Sequence, residues 1–420
     1  MPSPGTVIIG AGQGGYQVAA SLREYGYQEP ITIIGDEPQL PYQRPPLSKA
    51  YLLGDTTAER LLLRPQNYYE KHAIEVLTGS RVASVDRQAS KVTLASGTAI
   101  AYDHLVFATG ARNRKLPVPG ADLDGVMYLR TLAEADAMKA RFAAANTIVI
   151  AGAGFIGLEL AAVASKFGKK VYVVEALARV MSRAVTPTMS EFFAGAHAAF
   201  GVELLLNARM QGIEGSNGHV SGVVLSDGRK VPADLVLVGI GIEPVAELAA
   251  EAGLTVANGI SVNARLEASD PKISAIGDCA SFPDRWTGQV IRLESVQNAV
   301  DQGRCVAHRL TGKPAEYCAV PWFWSDQRDL KLQMVGLTGG CDRTAIRGSI
   351  ADRAFSVFCF KGDKLLGIES VNRAADHMFG RRLLAAGASV TPEEAADMSF
   401  DFKARLATIE PPREKAAGAL

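Results

Sequence analysis

Residues 6–15, Thr-Val-Ile-Ile-Gly-Ala-Gly-Gln-Gly-Gly, join a short apolar run to a cluster of glycines. An amphipathic pattern follows, with Val18 and Leu22 on one face, so the segment predicts a strand, a tight turn and a helix. In such a turn Gly10 permits the sharp bend, Gly12 lets a pyrophosphate approach the backbone, and Gly15 lets helix and strand pack closely. The stretch therefore predicts a dinucleotide site at the positive N-terminus of a helix.

A second apolar run, residues 31–34, ends at Gly35-Asp36-Glu37. A carboxylate at this strand end accepts hydrogen bonds from an adenosine ribose. A strand before the glycines, a helix after them and an acid at the end of the next strand make this more specific than an isolated glycine motif.

The same pattern repeats further along the chain. Residues 147–150 lead into a second fingerprint of Gly152, Gly154 and Gly157, and the following strand stops at Glu175. Two fingerprints imply two nucleotides, the usual arrangement when one carries a hydride and the other receives it. Glu175 would bind both ribose hydroxyls and repel a 2′-phosphate, which favours NADH; the nearby Arg183 is the competing signal, since it would attract that phosphate.

Small residues end several apolar strands. After the first fingerprint, one apolar strand ends in Ala108-Thr109-Gly110. After the second fingerprint, another ends in residues 239–241, and a third apolar strand ends in Gly277-Asp278. Small side chains at strand ends leave space for a ligand in the crevice of a doubly wound sheet. The alternative is an ordinary turn at each position.

A proline-rich loop, residues 38–49, follows the first nucleotide acid and presents Arg44 and Lys49. Either these cations point into a site, or they are solvated residues flanking a rigid linker. Glu159 also has two interpretations. It could complement a helix dipole, or it could pair with a lysine from another domain, for which Lys49 is the candidate.

Composition sets outer limits on function. The 420 residues are 48% hydrophobic, and 44 Lys plus Arg balance 44 Asp plus Glu. That balance argues against nucleic acid or an anionic membrane as a partner. The five cysteines are widely spaced, which predicts buried thiols and no disulfide framework, and the six scattered histidines indicate no metal site. The short segment before the first strand and the lack of a long apolar stretch predict a soluble, cytoplasmic protein.

The sequence resembles the FAD-dependent ferredoxin reductases in six motifs taken together. These are the two fingerprints, Pro41-Tyr-Gln-Arg-Pro-Pro-Leu-Ser-Lys49, Ala108-Thr-Gly110, Ile276-Gly-Asp278 and Pro321-Trp-Phe-Trp-Ser-Asp-Gln327. These serve bacterial cytochrome P-450 systems and ring-hydroxylating dioxygenases, and they are related more distantly to apoptosis-inducing factor. The likeness runs in order along almost the whole chain.

This resemblance implies an α/β protein with two Rossmann-like nucleotide-binding domains, as in glutathione reductase, plus a C-terminal α/β domain. The expected boundaries are 1–113 and 242–319 for the FAD domain, 114–241 for an inserted NAD domain, and 320–420 for the C-terminal domain.

The resemblance also implies roles for individual residues. Those expected to line FAD are Gly14, Asp36, Lys49, Val82, Arg130, Asp278 and Val296. Those expected to face NADH are Glu175, Arg183 and Glu294. Lys49 would approach the reactive edge of the flavin and pair with Glu159, and Trp324 would lie near the isoalloxazine ring unless it is a core residue.

The implied reaction passes a hydride from NADH to FAD and then single electrons to a 2Fe-2S ferredoxin, which feeds a cytochrome P-450 or a Rieske oxygenase. No CxxxxC occupies the place after Asp36 where flavoprotein disulfide reductases carry their redox cysteines. A basic docking patch is expected, with Arg304, Arg309, Arg328 and Lys331 as candidates against the alternative of a solvated surface. Two other functions stay open: an NADH oxidase or rubredoxin reductase, and a redox-sensing flavoprotein similar to apoptosis-inducing factor.

Overall fold

A computed structural model of the chain describes residues 3–313 and 315–409. The chain divides into two compact units. The first contains residues 1–115, 128–139 and 241–319, and the second contains residues 116–127, 140–240 and 320–420. Most of the segment that was expected to form an inserted domain, 114–241, therefore belongs to the second unit. Its residues 128–139, however, belong to the first unit.

The strands, in chain order, are β1 Thr6–Ile9, β2 Ile31–Ile34, β3 Ile74–Leu77, β4 Val82–Asp86, β5 Lys91–Leu94, β6 Ala99–Ala101, β7 His104–Phe107, β8 Ala111–Asn113, β9 Val126–Tyr128, β10 Thr147–Ala151, β11 Lys170–Val174, β12 Val202–Leu205, β13 Met210–Ser216, β14 His219–Leu225, β15 Lys230–Pro232, β16 Leu235–Val238, β17 Ile242–Pro244, β18 Val256–Ala257, β19 Gly259–Ser261, β20 Ile273–Ala275, β21 Ala280–Pro283, β22 Val290–Ile291, β23 Trp322–Gln327, β24 Leu330–Gly336, β25 Arg343–Ser349, β26 Ala354–Lys361 and β27 Lys364–Val371.

The α-helices are α1 Gln13–Glu24, α2 Ala50–Leu53, α3 Ala58–Leu61, α4 Gln66–Lys71, α5 Leu132–Ala144, α6 Phe155–Lys166, α7 Pro187–Ala199, α8 Glu247–Glu251, α9 Val296–Leu310, α10 Ala374–Ala385, α11 Pro392–Ala396 and α12 Phe402–Ile409. Two 3-10 turns, Pro45–Ser48 and Gly277–Cys279, complete the elements.

The first unit is built on a parallel sheet in the order β20-β7-β1-β2-β3. Every residue of β1, β2, β7 and β20 is buried, as expected for strands that are covered on both faces. Helices α1 and α9 pack against each other in this unit. An antiparallel sheet, β4-β5-β6, lies along the chain between β3 and β7.

The second unit repeats this plan. Its main sheet has the order β12-β11-β10-β16-β9, in which β10 pairs in parallel with β11 and β16, as β1 does with β2 and β7. A second antiparallel sheet, β13-β14-β15, lies along the chain between β12 and β16. The internal repeat that is visible in the sequence is therefore also present in the structure.

The C-terminal part of the second unit is an antiparallel sheet in the order β23-β24-β27-β26-β25. The helices α10, α11 and α12 cover it around a core that contains Phe358, Phe379 and Leu383. Within the part of the chain that the structure describes, no helix is long and apolar enough to span a membrane.

Candidate active site

The first glycine turn is shaped by close backbone contacts. Gly10 has a φ of +117°, and a Cβ there would lie 2.1 Å from the carbonyl oxygen of Ala108. A Cβ on Gly15 would lie 2.0 Å from the oxygen of Gly10, so helix α1 packs directly onto the turn. A Cβ on Gly12 would meet nothing within 4 Å. Gly10 and Gly15 are therefore required by the fold, whereas Gly12 leaves a space open in front of the helix.

The second turn has the same construction. Gly152 has a φ of +99°, and its Cβ would lie 2.5 Å from the oxygen of Gly239, which belongs to the second small-residue strand end. A Cβ on Gly157 would lie 2.0 Å from the oxygen of Gly152, and a Cβ on Gly154 would meet nothing. Each half of the chain therefore forms an equivalent glycine turn with open space in front of its helix. We call these two turns, residues 10–15 and 152–157, the dinucleotide cradles.

Both cradles face the start of a helix that has no side-chain cap. The N-cap residues of α1 and α6 are Gly12 and Gly154, and neither helix has a side-chain cap hydrogen bond. The first-turn amides of a helix need acceptors, and the helix dipole makes the end electropositive. A pyrophosphate supplies both acceptors and negative charge.

The two acids after β2 are used differently. Glu37 accepts hydrogen bonds from Tyr42 Oη (2.7 Å) and from Arg44 Nη2 (2.5 Å), so it holds the proline-rich loop in place. Asp36 is exposed. Of the two carboxylates, Asp36 is consequently the one available to an adenosine ribose.

The acid of the second half lies beside its own glycine turn. Glu175 Oε2 accepts from the amide of Ala153 at 2.8 Å, and Oε1 accepts from the amide of Leu177 at 2.9 Å. These bonds fix the carboxylate and leave further acceptor capacity on both oxygens. Arg183 is exposed on the following loop.

Arg130 connects several of the expected flavin residues within the first unit. Its Nη2 lies 3.0 Å from Asp278 Oδ2, and the same nitrogen would be 3.3 Å from a Cβ on Gly110. Its carbonyl oxygen accepts from Arg44 Nη1 at 2.7 Å. The Thr109 hydroxyl donates to the carbonyl of Val245 at 2.6 Å. Segments far apart in the sequence thus converge on one polar cluster.

An unsatisfied buried amide lies near this cluster. Gln302 Oε1 accepts from the backbone amide of Gly277 at 2.7 Å, while Gln302 Nε2 is buried without a partner among the described residues. A Cβ on Gly14 would come within 3.1 Å of the side chain of Ile276. A buried donor without an acceptor is costly, and a bound group with acceptor oxygens would relieve that cost.

The remaining expected flavin residues also lie in the first unit. Lys49 follows the 3-10 turn Pro45–Ser48 and is half-buried, Val82 begins β4, and Val296 begins α9. Glu294 forms an ion pair with Arg292 (2.8 Å), and its side chain is 41% exposed. Glu294 was expected to face NADH, and that role stays a prediction.

Glu159 and Trp324 belong to the second unit. Glu159 lies on α6, is only 2% exposed, and accepts a hydrogen bond of 2.6 Å from the hydroxyl of Ser325. Trp324, on β23, is half-buried, with its ring centroid 5.6 Å from that of Trp322. The expected partner of Glu159, Lys49, is in the first unit, so their pairing stays a prediction.

Two expectations from the sequence were wrong in part. Arg309 was a candidate for docking, but its side chain is only 8% exposed and it bonds Glu267 (3.1 Å) and Ser274 (2.5 Å). A long polar side chain on a helix is expected to be exposed, and the sequence does not show that α9 packs beside the half-buried acid Glu267. Of the thiols, Cys318 is exposed and Cys341 half-buried, while Cys279, Cys305 and Cys359 are buried as expected.

Sequence reasoning also missed several buried polar residues. The carboxylate of Glu369, on β27, accepts from the amide and the hydroxyl of Thr186, which caps α7. Tyr42, Arg292, Gln302, Ser325 and His197 were likewise not singled out. For Ser325 and Glu369 the available signal was a polar residue within a largely apolar strand.

The residues present fit two dinucleotides. Each half supplies an open glycine, an uncapped helix and an acid at the end of the next strand. The first half adds the Arg130–Asp278 cluster and the unsatisfied Gln302 amide, which suit the sugar and ring portions of a flavin nucleotide. A fold with these two sites defines an oxidoreductase that binds two dinucleotides.

Comparison with known proteins agrees. The family model "Pyridine nucleotide-disulphide oxidoreductase" matches residues 5–303, and "Reductase C-terminal" matches residues 322–406. The chain belongs to the pyridine nucleotide-disulphide oxidoreductase family.

Relatives are similar over nearly their whole length. Rhodocoxin reductase of Rhodococcus erythropolis is 52% identical, over 96% of this chain and 94% of that protein. The ferredoxin reductase for the CYP199A2 system from Rhodopseudomonas palustris has a TM-score of 0.94 at 54% identity, covering 96% of this chain and 99% of that chain. Putidaredoxin reductase, in its covalent complex with putidaredoxin, has a TM-score of 0.94 at 40% identity, covering 97% and 99%.

These findings confirm the resemblance to the ferredoxin reductases and the fold class of two Rossmann-like domains with a C-terminal α/β domain. They also confirm the expected cofactor types, because proteins of this kind use FAD and a nicotinamide dinucleotide.

Proposed function

We propose that this protein is an FAD-containing, NADH-dependent ferredoxin reductase that supplies single electrons to a 2Fe-2S ferredoxin. The observation that carries the proposal is the pair of equivalent dinucleotide cradles, at Gly10–Gly15 and Gly152–Gly157, in a chain without a redox CxxxxC. Bound FAD would accept a hydride and release electrons one at a time. The ferredoxin would in turn feed a cytochrome P-450 or a Rieske oxygenase, and we place the reaction in the cytoplasm.

The chain's own residues would bind and orient the two nucleotides. The N-termini of α1 and α6 would bind the pyrophosphates. Asp36 and Glu175 would accept from the ribose hydroxyls, and Arg130 with Asp278 would hold the flavin nucleotide in the first unit. The expected roles of Lys49 and Glu159 as a charge pair, and of Trp324 beside the flavin ring, are part of this proposal. A double-mutant cycle between Lys49→Ala and Glu159→Ala would measure the coupling of the pair.

A basic concave surface in the first unit suits an acidic partner. A cavity of about 420 Å³ is lined by Arg23, Arg64 and Arg304, with Glu24 as its acid, and by the rings of Tyr16, Tyr68 and His72. The Arg64 guanidinium lies 5.3 Å from the ring centroid of Tyr68, and Arg304 is exposed beside it on α9. Exposed arginines on a rigid surface steer an acidic partner. We propose this cavity as part of the ferredoxin-docking surface; Arg328 and Lys331, on the second unit, remain candidates.

The test is NADH-driven cytochrome c reduction by the purified flavoprotein, with and without an added 2Fe-2S ferredoxin. Strong dependence of the rate on ferredoxin is expected. NADH consumption that ignores ferredoxin and follows oxygen would identify an oxidase instead. Fast reduction of rubredoxin in place of ferredoxin would favour a rubredoxin reductase, and an NADH-dependent change of oligomeric state with slow turnover would favour a redox sensor.

A further inference from the structure

A chain of hydrogen bonds runs from helix α7 through strand β23 to Glu159 within the second unit. His197 Nε2 lies 2.7 Å from Gln327 Oε1, Gln327 Nε2 lies 3.2 Å from Ser325 Oγ, and Ser325 Oγ lies 2.6 Å from Glu159 Oε1. All four side chains are buried.

The alternation of β23 explains how the chain is built. Successive side chains of a strand point to opposite faces, so Phe323, Ser325 and Gln327 share one face. On that face Phe323 packs against Phe155 of α6, with 4.5 Å between ring centroids. The next two positions, which an apolar pair would fill in an ordinary core, are polar and fully buried. Replacing both partners of a buried hydrogen bond by apolar groups of the same shape is nearly neutral or even stabilising, so stability alone does not require polar residues here.

The bonds have one direction. Burial lowers the pKa of His197, so its imidazole is neutral near pH 7 and donates through Nε2 to the side-chain oxygen Oε1 of Gln327. The amide nitrogen of Gln327 then donates to Ser325, and the hydroxyl hydrogen of Ser325 points at Glu159. Glu159 is the acceptor at the end of this chain, which suits the ionised carboxylate. The reversed direction would require a protonated Glu159 as the donor.

We propose that Ser325, Gln327 and His197 are positioning residues that hold the Glu159 carboxylate in the orientation and charge state needed for reduction by NADH. The inference rests on the proposed function, since it takes Glu159 to act beside the nicotinamide. Strand β23, the first strand of the C-terminal sheet, would then have two roles: it carries Trp324, and it fixes the acid on α6.

The experiment compares Ser325→Ala, which removes the donor to Glu159, with Ser325→Thr, which keeps a hydroxyl, and with Gln327→Met, which breaks the chain one step away. Anaerobic stopped-flow mixing with NADH gives the limiting rate of flavin reduction. Calorimetry with NAD⁺ gives a binding constant independent of turnover. Ser356→Ala is the matched control, because Ser356 is an equally buried hydroxyl whose partners, Ser370 and Asp376, are not part of the hydrogen-bond chain.

Ser325→Ala should slow flavin reduction about tenfold, as loss of a hydrogen bond to a charged group predicts. It should also weaken NAD⁺ binding. Gln327→Met should have a smaller effect in the same direction, Ser325→Thr should restore most of the rate, and Ser356→Ala should leave both quantities unchanged. Reduction of ferredoxin by dithionite-reduced enzyme should be the same in all variants.

A Ser325→Ala enzyme that melts at a lower temperature but keeps the wild-type reduction rate and NAD⁺ affinity would overturn the inference, since the chain would then be structural only. Failure of Ser325→Thr to restore the rate would also count against it. If NADH reduces the wild-type flavin quickly but ferredoxin does not accept the electrons, the proposed function fails. The role of the hydrogen-bond chain is then still tested by comparing the flavin-reduction rates of the variants with that of the wild type. If NADH does not reduce the wild-type flavin, both fail.

Discussion

Arg130 and Asp278 are 148 positions apart in the sequence, and their side chains form an ion pair of 3.0 Å. Gly110 lies next to this pair, since a Cβ on Gly110 would be 3.3 Å from the Arg130 guanidinium. Three segments that were each expected to line the flavin nucleotide therefore meet at one point in the first unit.

Replacing Asp278 by alanine should weaken FAD retention. The change leaves the Arg130 guanidinium without its carboxylate and removes an acceptor for the flavin nucleotide, and one charge-assisted hydrogen bond is worth about 1.5–3 kcal/mol. That corresponds to roughly a tenfold or greater loss of FAD affinity. The ratio of flavin to protein absorbance after extensive dialysis measures it.

The matched control is Asp270→Ala. Asp270 forms an ion pair with Arg87 of the same length, 3.0 Å, in the same unit, and its side chain has the same exposure as that of Asp278, 17%. This variant should lose stability and keep its FAD. Equal flavin loss from both variants would show that Asp278 acts on folding and not on the cofactor.

Glu175 should determine the preference for NADH. Its carboxylate is fixed by the amides of Ala153 and Leu177 and would repel a 2′-phosphate. Glu175→Ala should raise KM for NADH about tenfold and narrow the ratio of kcat/KM between NADH and NADPH. Glu203→Ala, at an exposed position on the neighbouring strand β12, is the control and should change neither value. An unchanged ratio in Glu175→Ala would point to Arg183 as the determinant instead.

The sequence predicted the nucleotide-binding elements well because their chemistry is local. A glycine with positive φ, an uncapped helix and an acid at a strand end all lie within short segments, so Gly10 and Gly152 were recognisable without a structure. Strand β2 also begins and ends where the apolar run of residues 31–34 predicted it, at Ile31–Ile34.

Long-range polar contacts could not be predicted in the same way. The hydrogen bonds that Ser325 donates to Glu159 and Thr186 donates to Glu369 join residues 166 and 183 positions apart. No spacing rule relates such residues, because the contact depends on how the C-terminal sheet packs within its unit. Arg309 was misjudged for the same reason, since its partner Glu267 comes from a different segment.

Arg304 should contribute to ferredoxin binding. Arg304→Glu reverses a charge at the rim of the basic cavity and should raise KM for ferredoxin severalfold at low ionic strength, with the effect shrinking as salt screens the charges. The KM for NADH should not change. Arg265→Glu is the matched control, since the Arg265 side chain is 53% exposed, like that of Arg304, and also lies near an acid of the first unit. An equal rise in KM for ferredoxin in both variants would indicate a general effect of net charge.

His377 should make the stability of the protein depend on pH. Its ring is 1% exposed, neither ring nitrogen has a partner among the described residues, and burial lowers its pKa to about 4. The unfolded chain, with an ordinary histidine pKa near 6.5, therefore binds more protons than the folded protein between about pH 4 and 6.5. Stability due to this group is complete above that window and is lost as the pH falls through it.

Phenylalanine at this position removes the titration and keeps the edge-to-face contact with Trp322, whose ring centroid is 5.7 Å away. Relative to His377→Phe, the wild-type protein should lose roughly 2 kcal/mol of stability between pH 7 and pH 5. Urea unfolding at the two pH values, followed by tryptophan fluorescence, measures the difference. Parallel losses in both proteins would show that the His377 side chain is already protonated in the folded state, or that it gains access to water without unfolding.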